Sequence, residues 1–168
     1  MVADKPQILI LGVGNILYTD EGIGVRVVEQ LQERYEFSSN VSLLDGGTLG
    51  MRLMDYITQS DKLIIVDAVM GDQEPGSVYR LTGDDLRNSL SFKNSLHQTD
   101  LVDTLIYCQL IGNSPDTIVI GIQPSDLQTM SMQLSQEVNK ALPQAIEKVL
   151  EEVTQAGGEY REIKSQSV

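Results

Sequence analysis

The stretch ILILGVGNILYTDEGIG, residues 8–24, carries the pattern from which the fold of this chain is predicted. An apolar run over residues 7–13 ends at glycine, which is typical of a strand buried on both faces of a sheet. From Glu21 to Tyr35, apolar residues recur at the spacing of one helix face, and we expect Asp20 to be the N-cap of this helix. A buried strand that leads through a glycine turn into a helix is the first half of a βαβ unit.

The rest of the chain alternates strand-like and helix-like segments in the same way. We expect a three-layer α/β sandwich, with an open twisted sheet of about five strands between helices on both faces. The strands should be mostly parallel, with one antiparallel edge strand at residues 77–81, because the connection before it is too short for a parallel crossover. One domain should cover residues 1–156, and residues 157–168 should form a polar, flexible tail. The predicted strands are 7–13, 40–44, 62–69, 77–81 and 117–122, and the predicted helices are 21–35, 49–57, 99–111 and 133–153.

Composition and charge restrict the class of partner. The 168 residues include 24 acidic and 12 basic side chains, which gives a net charge of −12. Nucleic acid would be repelled by this charge, whereas a cation or a basic partner would be attracted. Apolar runs fall short of the ~20 residues that a membrane span needs, and no signal peptide is recognisable, so we expect a cytoplasmic protein. We also expect a monomer, with the single Cys108 buried in the core.

The glycines at positions 12 and 14 raise the alternative of a dinucleotide-binding loop. The G-x-G-x-x-G pattern of that loop needs a third glycine where this chain has Leu17. Asp20 and Glu21 would also repel a pyrophosphate at the start of the helix. The loop therefore indicates a cation rather than a nucleotide.

Three acidic residues lie at or after the carboxyl ends of predicted strands, and one histidine precedes a predicted helix. Because ligands of open α/β sheets bind at the carboxyl ends of the strands, Glu21, Asp45 and Asp67 should lie along one edge. His97, the only histidine, can join them if the loop before it folds over that edge. Each residue also has an ordinary structural explanation, such as turn formation by Asp45 or a favourable helix dipole for Glu21. The expected position of these residues at one edge of the sheet is what favours a functional site.

The donor set suits a divalent metal. Two carboxylates and an imidazole are ligands for a borderline ion such as nickel or zinc, and three protein ligands leave positions open for an incoming group. The sequence contains neither the HExxH pattern of zinc proteases nor a GxSxG nucleophile elbow. A metal-dependent active site and a metal-binding site without chemistry both remain open at this point.

Four motifs in order resemble a known family. They are GxGNxLxxDEGIG after the first strand, DGGTxG after the second, LIIVDA in the third, and an isolated HQ before a helix. Together, over residues 8–123, they are similar to the hydrogenase maturation endopeptidases, the processing proteases of nickel–iron hydrogenases. The family fold implied by this resemblance, a twisted sheet of about five strands between helices, agrees with the prediction above.

The resemblance implies an activity and a set of roles. Such enzymes cut a C-terminal extension from the precursor of a hydrogenase large subunit after nickel has been installed. The implied nickel ligands are Glu21, Asp67 and His97, and Asp45 matches the family's DGGT aspartate. We expect the nickel to arrive with the precursor and to serve as the recognition handle, with Asp45 as the base that positions the attacking water. The alternatives are a non-enzymatic nickel-binding or escort protein, and an acidic binding domain without chemistry.

Overall fold

Five strands form the central sheet of the computed structural model, which describes residues 4–46, 53–82, 108–112 and 114–164. Four of them are parallel to their neighbours, and the last pairs antiparallel at the edge, as the short connection before it predicted. In spatial order the strands are β3 (Val41–Asp45), β1 (Ile8–Gly12), β4 (Lys62–Ala68), β6 (Asp116–Ile122) and β5 (Val78–Thr82).

Helices cover both faces of this sheet because its central strands are apolar on both sides. Helices α1 (Ile23–Arg34) and α3 (Gln136–Gln155) pack on one face, together with Ile8 and Ile10 of β1. The intervening Leu9 and Leu11 face the other side, where helix α2 (Leu53–Thr58) and the buried Cys108 lie. The predicted α/β sandwich and the buried position of Cys108 are both confirmed. Residues 108–110 are helical and Ile111 lies in the turn that follows, while residues 99–107 of the predicted helix 99–111 lie outside the described residues.

The chain enters α1 differently from the prediction. A 3-10 helix over Thr19–Gly22 comes first, and α1 begins at Ile23 with Gly22 as its N-cap. The expectation that Asp20 caps this helix is therefore wrong. Asp20 lies inside the preceding 3-10 helix, and its buried carboxylate accepts hydrogen bonds from the loop that follows β6.

The C-terminal segment contains a strand that the sequence did not indicate. Strand β7 (Tyr160–Glu162) pairs antiparallel with β2 (Tyr35–Phe37), which directly follows α1. The rings of Tyr35 and Tyr160 meet edge to face, with their centroids 5.7 Å apart. Residues 160–162 of the predicted polar, flexible tail thus form a strand, which the sequence did not indicate because a three-residue strand is too short to carry a periodic pattern.

The helices of the described residues can be checked for their ability to cross a membrane. None of them combines the length and the apolar character that crossing a bilayer requires.

Candidate functional site

The carboxyl edge of the sheet brings together the ends of three parallel strands. Gly12, the last residue of β1, is paired with Asp45 of β3 on one side and with Val66 of β4 on the other. Asp67 follows Val66 within β4. Both predicted strand-end carboxylates therefore lie at the edge where the fold rule expects a ligand.

Asp67 is a buried carboxylate in the middle strand of the sheet. Its side chain is 1% exposed, and its Oδ1 accepts a hydrogen bond of 2.8 Å from the N–H of Ala68. Strand alternation directs it to the same face as Ile65, which packs in the cluster with Cys108. A carboxylate in this environment needs donors or a cation around it, because burial of an unpaired charge is costly.

Asp45 lies at the same edge but in different surroundings. It is exposed, and strand alternation directs it to the face of Val66, opposite to that of Asp67. Two strand spacings separate β3 from β4, which places their backbones roughly 10 Å apart. Asp45 and Asp67 are therefore suited to different tasks, the first in contact with water and the second fixed inside the protein.

Glu21 reaches this edge through the tight turn that follows β1. Gly14 has φ +127°, and a Cβ there would stand 1.8 Å from the carbonyl oxygen of Glu21, so the turn requires glycine. The N–H of Val13 donates to the Val66 carbonyl at 3.0 Å, and that of Glu21 donates to Tyr18 at 3.0 Å. These contacts hold the 3-10 helix against the end of β4, with the Glu21 side chain partly exposed beside it.

A loop after β6 completes the described part of the edge. Residues 17–19 run beside Ser131 as a short parallel bridge, with Thr19 N–H donating to the Ser131 carbonyl at 2.8 Å. The loop is folded internally by Asp126, whose Oδ1 accepts the N–H groups of Gln128 and Thr129 at 2.9 Å each. Hydrogen bonds from the Thr129 side chain and from these N–H groups lower the pKa of Asp126. The carboxylate therefore keeps its charge, and these hydrogen bonds, to a lower pH than an aspartate without them.

Exposed apolar side chains project from this pair of loops. Leu17 is 49% exposed, Met130 is 73% exposed and Met132 is 59% exposed. Their backbones are adjacent, because the N–H of Ser131 donates to the Leu17 carbonyl at 2.9 Å. We call these three side chains the apolar rim. Clustered apolar side chains beside a polar site are typical of a surface that binds another protein.

The metal-binding prediction is only partly covered by the described residues. Among residues 4–46, 53–82, 108–112 and 114–164, no group of three or more histidine, cysteine, aspartate or glutamate side chains is arranged to hold a metal ion. Glu21, Asp45 and Asp67 alone thus do not form such a site. His97 lies outside the described residues, so its role as the third ligand stays a prediction. Asp20 was the residue whose importance the sequence did not reveal, since its partners are more than a hundred positions away.

Comparisons with known proteins agree with this architecture. A family model described as "Hydrogenase maturation protease" matches residues 25–152. The hydrogenase expression/formation protein HupD of Thiocapsa roseopersicina is 41% identical over 154 residues, which cover 90% of this chain and 70% of that protein. The hydrogenase 2 maturation protease of Escherichia coli (strain K12) is 38% identical, with 91% of this chain and 94% of that protein covered.

Solved structures of hydrogenase maturation proteases are also similar to this chain. The hydrogenase maturating endopeptidase HybD from E. coli superimposes with a TM-score of 0.87 at 37% identity, over 93% of this chain and 97% of that one. The [NiFe] hydrogenase maturation protease HybD from Thermococcus kodakarensis gives a TM-score of 0.70 at 27% identity, over 85% and 96%. With a family match over most of its length and relatives of this similarity, the chain belongs to the hydrogenase maturation proteases and is an endopeptidase of that family.

Proposed function

We propose that this protease removes the C-terminal extension from the nickel-loaded precursor of a nickel–iron hydrogenase large subunit, and that the nickel is its recognition handle. The observation that carries the proposal is the position of Glu21 and Asp67 beside the carboxyl end of β4, in a chain of this family. The metal belongs to the substrate. The enzyme contacts this nickel only when the precursor docks, so the enzyme does not need a complete metal site of its own.

Glu21, Asp67 and His97 would contact the nickel of the precursor. Two carboxylate oxygens and an imidazole nitrogen match the ligand preference of nickel, and they leave positions for the ligands that the precursor supplies. A precursor without nickel would offer no metal for these three side chains to bind. A precursor that has not received nickel would therefore bind poorly, which provides discrimination.

His97 is the third proposed contact because the resemblance to the family assigns it this role. It lies outside the described residues, so its place beside Asp67 is part of the proposal.

Asp45 would act on the water that attacks the peptide bond. It is exposed at the end of β3, and its distance from β4 suits a base that faces a substrate held by the metal. When present, the substrate's nickel could also polarise the scissile carbonyl. Asp45 would orient the water and accept its proton, while Glu21 and Asp67 hold the precursor in register.

The apolar rim supports a protein as the substrate. Leu17, Met130 and Met132 lie on the loops that flank Glu21, and methionine adapts readily to the shape of a partner. Docking of a folded precursor on the rim would place its metal over the carboxylates. We expect this reaction to take place in the cytoplasm, with the protease acting as a monomer.

One incubation tests the proposal. Purified protease is mixed with nickel-loaded large-subunit precursor and, in parallel, with nickel-free precursor, and both are read by intact-mass spectrometry. A single C-terminal truncation that appears only with the nickel-loaded precursor is expected. Equal cleavage of both precursors would remove the recognition role of nickel, and nickel transfer without cleavage would favour an escort function.

A further inference from the structure

Asp20, the residue immediately before Glu21, is a carboxylate buried between two loops of the carboxyl edge. It is 0% exposed. Its Oδ2 accepts hydrogen bonds from the N–H of Ser125 at 2.9 Å, the N–H of Asp126 at 2.9 Å and the hydroxyl of Ser135 at 2.8 Å. Its Oδ1 accepts the N–H of Ser135 at 2.8 Å. One side chain thus joins the turn after β1 to both ends of the loop after β6.

The donors around Asp20 require a carboxylate. All four are neutral N–H or O–H groups, and three of them are backbone amides that cannot turn away. An ionised carboxylate offers acceptor sites on both oxygens, whereas an amide would direct an NH₂ group at one of these N–H donors. The negative charge also lies at the start of α3, where Ser135 is the N-cap. Asparagine at position 20 would therefore occupy the same space, but it would not accept all four hydrogen bonds.

The residue before Asp20 is held in an unusual backbone conformation by the same junction. Thr19 has φ +46°, a left-handed conformation that a β-branched residue adopts only when its surroundings hold it. Its hydroxyl donates to the Thr129 carbonyl at 2.7 Å. The N–H of Asp20 donates to the Asp126 carbonyl at 3.0 Å. Glu21 is the next residue, so its backbone position is fixed by contacts made through Asp20 and Thr19.

We propose that Asp20 is a positioning residue for Glu21: by joining the β1–α1 turn to the loop after β6, it fixes Glu21 at the place where the substrate's metal is received. The effect on processing rests on the function proposed above, whereas the effect on the Glu21 backbone does not. The junction also holds the apolar rim in place, because Leu17 and Met130 lie on the two loops that Asp20 joins.

The test compares two carboxylate-to-amide substitutions at buried sites. Asp20→Asn breaks the junction. Glu152→Gln is the matched control, because Glu152 is 5% exposed and bonded to Arg80, and lines a cavity with Lys62 and Asp116 at the opposite edge of the sheet. For each folded variant, kcat and KM for nickel-loaded precursor are measured, and amide hydrogen exchange is followed over residues 18–22.

Asp20→Asn is expected to lower kcat/KM by about tenfold or more and to speed exchange at the Glu21 amide, while Glu152→Gln stays within about twofold on both. Adding Asp20→Asn to Glu21→Gln should leave the residual rate unchanged, because both substitutions remove the same interaction. If Asp20→Asn does not fold, Ser135→Ala takes its place, since it removes only the hydroxyl donor and should give a smaller loss in the same direction.

Three results would overturn the positioning role. They are unchanged exchange at Glu21 in Asp20→Asn, equal losses in Asp20→Asn and Glu152→Gln, and losses of Asp20→Asn and Glu21→Gln that multiply in the double variant. Failure of the wild-type protein to cleave nickel-loaded precursor would contradict the proposed function instead. In that case the exchange rate at Glu21 still decides whether Asp20 holds the turn.

Discussion

Gly24, in the first turn of α1, lies directly against the carbonyl oxygen of Val66 in β4. A Cβ on Gly24 would stand 2.0 Å from that oxygen and 2.6 Å from the carbonyl oxygen of Val13. Only glycine allows the helix to approach the strand this closely. The contact places the 3-10 helix and Glu21 beside the residue that precedes Asp67, so a packing requirement of the fold also sets the geometry of the candidate site.

Gly24→Ala should destabilise the protein although alanine is the better helix former. Propensity alone would contribute a gain of about 1 kcal/mol. Overlap with two backbone oxygens should cost more than this, because overpacking typically costs about 1–3 kcal/mol even where side chains can move. Urea unfolding would show a lower midpoint for Gly24→Ala. Gln32→Ala, on the exposed face of the same helix, should change stability by less than about 0.5 kcal/mol. A raised midpoint for Gly24→Ala would contradict the close approach.

The proposed metal contacts predict a common phenotype for three substitutions. Glu21→Gln, Asp67→Asn and His97→Ala should each leave a folded protein that processes nickel-loaded precursor only at a low residual rate, because each removes a ligand of the substrate's metal. The measurement is the processed fraction by intact mass after a fixed time, with circular dichroism to verify folding. Glu33→Gln, on the exposed face of α1, is the matched control and should process normally. A folded variant with near wild-type processing would remove its residue from the site.

Much of this site could be predicted because the relevant signals are local. The apolar runs around β1 and β4 define buried strands, and the strand rule then places Asp45 and Asp67 at one edge. The role of Asp20 could not be predicted, because its partners Ser125 and Ser135 are over a hundred residues away in sequence. The antiparallel pair of β2 with β7 was missed for a similar reason: each strand is three residues long and is stabilised by its partner rather than by its own pattern.

Asp45→Asn should impair the chemical step more than the binding of precursor. As a base that positions water, Asp45 would contribute about 10²–10⁴-fold to the rate, and asparagine cannot accept the proton. Its side chain is exposed, so the substitution should leave folding intact. Single-turnover cleavage and a separate binding assay with nickel-loaded precursor distinguish the two effects. Weakened binding with an unchanged single-turnover rate would assign Asp45 to substrate recognition.

Substitutions in the apolar rim should weaken precursor binding and leave the chemistry intact. Leu17→Ser and Met132→Ser should each raise KM by about fivefold, which corresponds to a loss of about 1 kcal/mol of binding free energy for an apolar side chain buried at the centre of an interface. Their kcat should stay near that of wild type. Leu110→Ser is the control, since Leu110 is 79% exposed but lies in the helical residues 108–110 and is not part of the apolar rim. An equal KM effect of Leu110→Ser would argue against docking at the rim.

Because of Cys108, the free energy of unfolding should depend on pH in the alkaline range. Burial raises the pKa of this thiol, which lies in the core beside Ile65 and Val119. Because the folded pKa lies above the unfolded value of about 8.5, the unfolded chain ionises first as pH rises. The contribution of the neutral thiol is therefore fully present below about pH 8.5 and is lost as pH rises through the folded pKa.

Comparison with Cys108→Ala isolates this effect. The variant should be less stable near neutral pH by about 1 kcal/mol, because it leaves a small cavity, but it lacks the titrating group. Urea unfolding at a series of pH values should show the wild-type advantage shrinking above about pH 8.5. Iodoacetamide should correspondingly label native Cys108 slowly and unfolded Cys108 rapidly, since the thiolate is the reactive form. Parallel stability curves for the two proteins, or rapid labelling of the native one, would contradict a buried thiol with a raised pKa.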